Sequence, residues 1–335
     1  MKKLITAVTL MLGVMSAAKI YAASPEQINV GYLGLVNAEL VTKHLGLIGK
    51  HIPGAQIHYV KLDGGGDMLR AMAGNQVDFG VLGNPPATIG MTRNLPFKGI
   101  MVFDVLNTIE GMAVRDSANI HSIHDLIGKR VAAPFGTTTH YLLLQALKQA
   151  GIKPSQLTIL DLSPTDIVAA WGRGDIDAAW FWEPGLNKVV QNGGKILMYS
   201  GEMAKKGYPT WDIGLVMNDF AKKYPDDVRK FVAAECEGID YWLKNPDDTA
   251  KIIAEELSIS LPDATRMMKG VKVVPCAEQT GQDYLGHTGR KGRFVDTLES
   301  TAQFLVSQQR LPAVLPRAQF AAYLDPSWLE KQSSH

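Results

Sequence analysis

The stretch Pro134-Phe-Gly-Thr-Thr-Thr-His-Tyr141 follows the apolar run Arg130-Val-Ala-Ala133 and leads directly into a helical pattern over residues 141–150. The first backbone N–H groups of a helix have no partner within it, and the helix dipole is positive at that end. Three hydroxyl side chains add further donors, and the stretch holds no Lys or Arg. It therefore predicts an anion-binding site in which neutral dipoles, and no charged side chain, bind one anion. The alternative is that one Thr only caps the helix.

The rest of the chain alternates strand-like and helix-like runs. The strand-like runs are residues 28–32, 56–60, 77–82, 130–133, 157–160 and 176–182, and helical patterns over 39–48, 68–73 and 141–150, with one opened by Ser163-Pro164, separate them. Such alternation predicts an α/β fold with parallel strands and ligand sites at their carboxyl ends. After Asn218 the pattern is mainly helical, with helices predicted over residues 226–243, 246–257, 262–269 and 293–309.

Two parts of the chain resemble each other at an offset of 99 residues, where Asp67-Met-Leu-Arg-Ala71 matches Asp166-Ile-Val-Ala-Ala170. The offset suggests two related lobes, although so few identities also arise by chance. If the lobes are related, Asn84 and Glu183 occupy equivalent positions after a strand and face each other across a cleft.

The first residues have the pattern of a secretory signal peptide. Lys2-Lys3 precede an uncharged run over residues 4–18, and small residues follow at a cleavage point expected after Ala22 or Ala23. The apolar run is short for a membrane span. We therefore expect a signal peptide over residues 1–23 and an exported, soluble mature chain.

The charge balance argues against nucleic acid as a partner. The full sequence has 34 basic and 33 acidic side chains, and residues 1–23 contain three lysines and no acid, so a mature chain would have 31 against 33. A nucleic-acid-binding domain is usually strongly basic. A mature chain of about 310 residues favours two domains.

Cys236 and Cys276 are the only cysteines, and their spacing does not decide whether they form a disulfide.

Three other kinds of site find no support in the sequence. His121, His124 and His140 have neither a cysteine nor a paired carboxylate nearby, so no metal site is predicted. Asp63-Gly-Gly-Gly-Asp67 lacks the Lys-Ser/Thr ending of a nucleotide-binding loop and is interpreted as a flexible turn beside the cleft. No Gly-x-Ser-x-Gly elbow is present, and we predict no cofactor and no enzymatic activity.

Four segments carry a family resemblance: residues 125–141, Gly151-Ile-Lys-Pro154, residues 169–177 and Pro209-Thr-Trp-Asp212. They resemble the taurine-binding proteins of bacterial ABC importers, and the likeness spans essentially the whole mature chain. The resemblance implies a type II periplasmic binding protein, with two α/β lobes joined by two crossovers near residues 113–115 and 212–215. The first lobe would comprise residues 24–114 plus 213–335, and the second residues 115–212.

The resemblance also implies which residues bind the ligand. The segment Thr137, Thr138, Thr139 and His140 matches the sulfonate-binding turn, and Asp212 matches the acid that can face an ammonium group. Asn84 and Pro85 lie where the family often has small hydroxyl residues, which leaves that contact open. Trp182 and Trp211 either wall the ligand or belong to the core.

Glu183 is the main departure from the pattern, because some taurine binders have a small apolar residue there. It either grips the ammonium, indicates a more cationic ligand, or is a structural residue before Pro184. The implied function is a monomeric periplasmic receptor that captures taurine or a related small sulfonate and delivers it to an ABC permease with its ATPase subunit. The alternatives are a receptor for another sulfonate, nitrate or a pyrimidine-type ligand, or a pyrimidine-synthesis-like enzyme on the same fold.

Overall fold

The computed structural model describes residues 24–330 and 332, so the predicted signal peptide at residues 1–23 lies outside the described residues. In chain order the strands are β1 (Gln27–Tyr32), β2 (Gln56–Lys61), β3 (Phe79–Gly83), β4 (Phe97–Leu106), β5 (Glu110–Arg115), β6 (Arg130–Ala133), β7 (Thr158–Asp161), β8 (Ala178–Trp182), β9 (Gly194–Tyr199), β10 (Trp211–Met217), β11 (Val271–Lys272), β12 (Gly286–His287) and β13 (Arg290–Lys291).

The helices are α1 (Ala38–His44), α2 (Leu47–His51), α3 (Gly65–Ala73), α4 (Asn84–Thr92), α5 (Thr138–Gln149), α6 (Pro164–Arg173), α7 (Gly185–Gln191), α8 (Ser200–Lys205), α9 (Asn218–Lys223), α10 (Pro225–Lys244), α11 (Pro246–Leu257), α12 (Leu261–Met268), α13 (Phe294–Ser307), α14 (Arg317–Tyr323) and α15 (Ser327–Glu330). The predicted α/β class and the predicted helical C-terminal part are thereby confirmed. No helix in the described ranges has the length and apolar character to cross a membrane.

Two main sheets are built in the same way. The first has the order β11-β4-β10-β3-β1-β2, and the second has the order β7-β6-β8-β5-β9. In each sheet three parallel strands of a βαβαβ unit come together, β1 with β2 and β3, and β6 with β7 and β8. An antiparallel strand then adds to this unit, β10 beside β3 and β5 beside β8.

The predicted internal repeat is visible in the elements themselves. Helix α3 and strand β3 begin at Gly65 and Phe79, and helix α6 and strand β8 begin 99 residues later, at Pro164 and Ala178. The repeat therefore covers a helix and the strand that follows it in each sheet.

The chain passes between the two sheets at other places than expected. It leaves the first sheet after β4, at residues 107–109, and returns between β9 and β10, at residues 200–210. The expected crossovers at residues 113–115 and 212–215 lie inside β5 and β10. The segment Glu110–Arg115 pairs with β8 and β9 of the second sheet, and Trp211–Met217 pairs with β3 and β4 of the first. The division of the chain into lobes that move relative to one another stays a prediction.

The single helix predicted over residues 39–48 is two helices, α1 and α2. Gly46 separates them with a φ of 63°, a left-handed conformation that residues with a side chain rarely adopt. The apolar pattern continues through this break, so periodicity alone did not show it.

Cys236 of α10 and Cys276 form a disulfide, with 5.7 Å between their Cα atoms. The structure thus answers whether the two cysteines are bridged, which their spacing in the sequence did not decide. It ties α10, which packs on α1 and α2, to the segment that follows β11.

Candidate functional site

A cavity lies between the two sheets, where strand ends from both meet the beginning of α5. We call it the central cavity. Its lining residues are Leu33, Leu35, Val36, Gly65, Gly83, Pro86, Asp104, Leu106, Ile109, Glu110, Thr137, Thr138, Trp182, Asp212 and Val271.

Two of the three threonine hydroxyl groups at the beginning of α5 form hydrogen bonds within the same segment of chain. The Thr137 hydroxyl donates to the Pro134 carbonyl oxygen at 2.6 Å and accepts from the His140 N–H at 3.5 Å, so Thr137 is the N-cap. Thr139 is fully buried, hydrogen-bonds to Thr137 at 3.0 Å and does not line the cavity. An anion at this place would therefore meet Thr138 and the first N–H groups of the helix.

Thr138 is coupled to Glu110, a buried carboxyl group that was not among the predicted site residues. The Thr138 hydroxyl donates to Glu110 Oε1, and the Ser200 hydroxyl donates to Glu110 Oε2 at 3.1 Å. Burial raises the pKa of Glu110 to about 8, although these two hydrogen bonds act in the opposite direction. At neutral pH the protonated Glu110 can donate to Thr138, which leaves the Thr138 proton available to a ligand.

Two further carboxyl groups line the cavity on neighbouring strands. Asp212 lies opposite Asp104 in the antiparallel pairing of β10 with β4, and the two are 4% and 1% exposed. Burial raises the pKa of Asp212 to about 7. The pKa of Asp104 is raised well above its ordinary value, first by burial and then by the negative charge of Asp212. Above pH 7 this pair therefore holds one negative charge beside one neutral acid.

Gly83 allows Thr138 and Asp212 to approach each other. A Cβ atom at Gly83 would lie 2.7 Å from Thr138 Cγ2 and 3.2 Å from Asp212 Oδ1. Any larger residue at position 83 would therefore push Thr138 or Asp212 away from its place in the cavity.

The central cavity also has an apolar wall. Trp182, one of the predicted binding residues, lines it from the end of β8, and Leu33 and Leu35 add further apolar surface. Apolar walls with a few placed polar groups are typical of small-molecule sites.

Asn84, Pro85 and Trp211 were predicted to bind ligand and do not line the central cavity. The Asn84 Nδ2 donates to the Thr301 hydroxyl at 3.1 Å, and its Oδ1 accepts from the backbone N–H of Trp211 at 3.3 Å. Trp211 is buried and stacks on Phe294 with 4.1 Å between ring centroids. Pro85 is buried in α4, whereas the next residue lines the cavity. Asn84 and Trp211 thus hold β10 against α13 and support the cavity from outside.

Glu183 also lies outside the central cavity. Its Oε2 accepts from the Asn187 N–H at 2.8 Å, and its Oε1 pairs with Arg266 at 3.1 Å. Burial raises its pKa, although the Asn187 hydrogen bond and the charge of Arg266 act in the opposite direction. Since Glu183 follows β8 and Arg266 belongs to α12, next to β11, the ion pair links the second sheet to the first. Of the three interpretations of Glu183, this geometry favours the structural one.

His140 packs against the turn that precedes α5, and it does not line the central cavity. Its ring stacks on Phe135, and its Nδ1 accepts from the Gly136 N–H at 3.3 Å. Burial, and then the charge of Arg310, lowers the pKa of His140 to about 4. A neutral His140 therefore supports the turn and contributes no charge to the central cavity.

Asp104, Glu110, Gly83 and Pro86 line the cavity and were not among the predicted site residues. Asp104 and Glu110 are acids within or at the start of mainly apolar strands, and that signal was available in the sequence. No group of three or more His, Cys, Asp or Glu residues in the described part of the chain is placed to hold a metal ion.

Comparison with known proteins shows the family. Residues 53–249 match the family model described as NMT1/THI5 like. The chain belongs to this family. It is 35% identical over 268 residues to the taurine-binding periplasmic protein of Escherichia coli, covering 78% of this chain and 80% of that protein. It is 26% identical over 253 residues to an Escherichia coli protein named "Putative aliphatic sulfonates-binding protein", covering 75% and 78% of the two chains.

Solved structures agree on the fold. The alkanesulfonate-binding protein SsuA from Xanthomonas axonopodis pv. citri, bound to MOPS, matches with a TM-score of 0.76 at 20% identity, covering 91% of this chain and 99% of that one. The desulfurization enzyme DSZB matches with a TM-score of 0.66 at 15% identity, covering 92% of this chain and 99% of that one. The predicted periplasmic-binding-protein fold is thereby confirmed, and the second match shows that an enzyme shares it.

Proposed function

We propose that the protein is a periplasmic substrate-binding protein that captures taurine or a closely related small sulfonate. The observation that carries this proposal is the presence, in one cavity, of the N-terminus of a helix with its hydroxyl residues and a separate pair of carboxyl groups. Relatives named for binding taurine and aliphatic sulfonates support it.

The polar groups suit a short zwitterion. A sulfonate at the beginning of α5 accepts hydrogen bonds from Thr138 and from helix N–H groups, and the positive end of the helix dipole favours its charge. An ammonium group lies at Asp212 and Asp104, where the negative charge of the pair balances it. Trp182 covers the carbon linker.

Delivery to the membrane is proposed from the position of the cavity between two sheets. A ligand that contacts elements of both sheets favours the arrangement in which they are close together, and a permease can recognise that arrangement. We propose that the exported protein acts as a monomer with an ABC permease. ATP hydrolysis belongs to a separate subunit of the transporter.

A binding role is favoured over catalysis by what lines the central cavity. Among its lining residues in the described ranges there is no Ser, Cys, His or Lys, and both cysteines of the chain are in the disulfide. Enzymes that form a covalent intermediate need a nucleophile with a base beside it. The Thr138 hydroxyl has Glu110 beside it, but with a pKa of about 8 this carboxyl group is protonated at neutral pH and is a poor base. The proposal is therefore that the ligand leaves the cavity unchanged.

Calorimetric titration against taurine, ethanesulfonate, nitrate, sulfate and amino acids tests the function. Taurine should bind at one site and should raise the melting temperature with the logarithm of its free concentration. Recovered taurine should be chemically unaltered. Saturable binding of nitrate or an amino acid in preference to every sulfonate would overturn the proposal.

A further inference from the structure

A second cavity, of about 410 Å³, lies on the other side of the turn that opens α5. Helices α3, α4 and α13 and the segments that follow α4 and α13 form most of it, and the turn closes it. Its lining residues are Gly66, Leu69, Arg70, Ala73, Ile89, Arg93, Leu95, Phe135, Gly136, His140, Leu305 and Arg310. We call it the basic cavity, because it has three arginines and no acidic residue in its lining.

Two of the three arginines form no ion pair with a carboxylate of the described residues. Arg70 pairs with Asp67, whereas Arg93 and Arg310, which are both exposed, form no ion pair with a carboxylate among residues 24–330 and 332. The Arg310 guanidinium lies 5.3 Å from the centre of the Phe135 ring. The cavity therefore has a positive field that a bound anion would balance.

His140 supplies a donor without a partner. Its Nδ1 accepts from the Gly136 N–H, so in the neutral ring the proton is on Nε2. The residue is 4% exposed, and among the described residues Nε2 has no hydrogen-bond partner. A buried donor of this kind costs free energy unless an acceptor reaches it. His140 lines the basic cavity, but its Nε2 atom is itself buried, so an anionic oxygen bound there reaches this donor through a small movement of the lining.

The rest of the lining is mainly apolar. Leu69, Ile89, Leu95 and Leu305 line the same cavity as the charged groups, and Phe135 adds an aromatic ring. Inorganic anions gain nothing from such surfaces, whereas an apolar group attached to the anion is removed from water there. The basic cavity and the central cavity have no lining residue in common.

We propose that the basic cavity is a second ligand site, for an organic oxyanion that carries an apolar group. Arg93 and Arg310 hold the oxyanion together with the Nε2–H group of His140. The leucines, Ile89 and Phe135 hold the apolar group. This site goes beyond the proposed taurine function and does not depend on it, because its charged groups lie outside the central cavity.

The test is calorimetric titration with para-toluenesulfonate, an aryl sulfonate, and with inorganic sulfate. Four proteins are compared: the unmodified chain, the double variant Arg93→Gln/Arg310→Gln, Thr138→Val in the central cavity, and Arg290→Gln. The last is the matched control, because Arg290 is an exposed arginine of β13 that lines neither cavity.

Para-toluenesulfonate should saturate one site on the unmodified chain and bind more tightly than sulfate. The double variant should weaken it by about tenfold or more, since two charge-assisted hydrogen bonds are lost. Thr138→Val and Arg290→Gln should leave its affinity unchanged. Absence of saturable binding, equal affinity for sulfate, or a loss caused by Thr138→Val and not by the double variant would each overturn the proposal.

Discussion

Thr138 and Thr139 are adjacent hydroxyl residues with different surroundings, and this difference gives the first prediction. Thr138 lines the central cavity, whereas Thr139 is buried against Thr137. Thr138→Val should weaken taurine binding by about 1.5 to 3 kcal/mol, because a hydrogen bond to a charged group is lost. Thr139→Val should change stability more than affinity. Calorimetric titration of both variants measures this, and equal losses of affinity would contradict the assignment.

The buried acids predict how binding depends on pH. With a pKa of about 7, Asp212 is neutral below that value and cannot attract an ammonium group, so taurine affinity should rise as the pH increases to 7. With a pKa of about 8, Glu110 becomes negative above that value beside the sulfonate, so affinity should then fall. The optimum should lie between the two values.

Ethanesulfonate provides the control for this pH profile, because it has no ammonium group. Its affinity should only decrease as the pH rises, since each carboxyl group that ionises repels the sulfonate. Titration calorimetry across the same pH range compares the two ligands. Identical profiles would show that the acids do not distinguish the two ends of taurine.

At the scale of elements, the ion pair between Glu183 and Arg266 connects the end of β8 with α12 across the two sheets. A second contact, from Asn187 Nδ2 to Asp263 Oδ1 at 3.1 Å, lies beside it. Both contacts hold together parts of the molecule that a ligand in the central cavity also brings together. They should therefore contribute to ligand affinity without touching the ligand.

Arg266→Gln tests this connection. Arg266 is half exposed, so its loss should cost about 0.2 to 1 kcal/mol, which lowers taurine affinity at most about fivefold. The control is Lys251→Gln, which removes an ion pair within α11 and should leave the affinity unchanged. Titrations at low and at high salt should both show a loss of taurine affinity for Arg266→Gln and none for Lys251→Gln. A similar loss of affinity in Lys251→Gln would point to a general effect of charge.

For the whole molecule, the pattern of the sequence was sufficient where local signals determine structure. The run Arg130–Ala133 and the helix Pro246–Leu257 have the predicted bounds, because an apolar strand and a proline-started helix are encoded locally. The 99-residue offset likewise follows from a repeated unit.

The features that sequence reasoning did not predict depend on contacts between distant segments. Asp104 and Asp212 become neighbours only through the pairing of β4 with β10, and Glu110 reaches Thr138 only because β5 belongs to the second sheet. The place of β5 in that sheet also moves the crossovers from where they were expected. The sequence left the role of Glu183 open between ligand contact and structure, because its partner Arg266 lies on a distant helix.

The central claim is that the molecule binds a zwitterion, with Asp212 at the cationic end. The most direct measurement is the affinity of Asp212→Asn for taurine and for ethanesulfonate, each compared with the unmodified protein by calorimetric titration near neutral pH. The variant should bind taurine about a hundredfold more weakly, because a buried ammonium loses its charged partner, whereas ethanesulfonate should bind equally well or more tightly. Equal losses for both ligands would contradict the claim and would make Asp212 a structural residue.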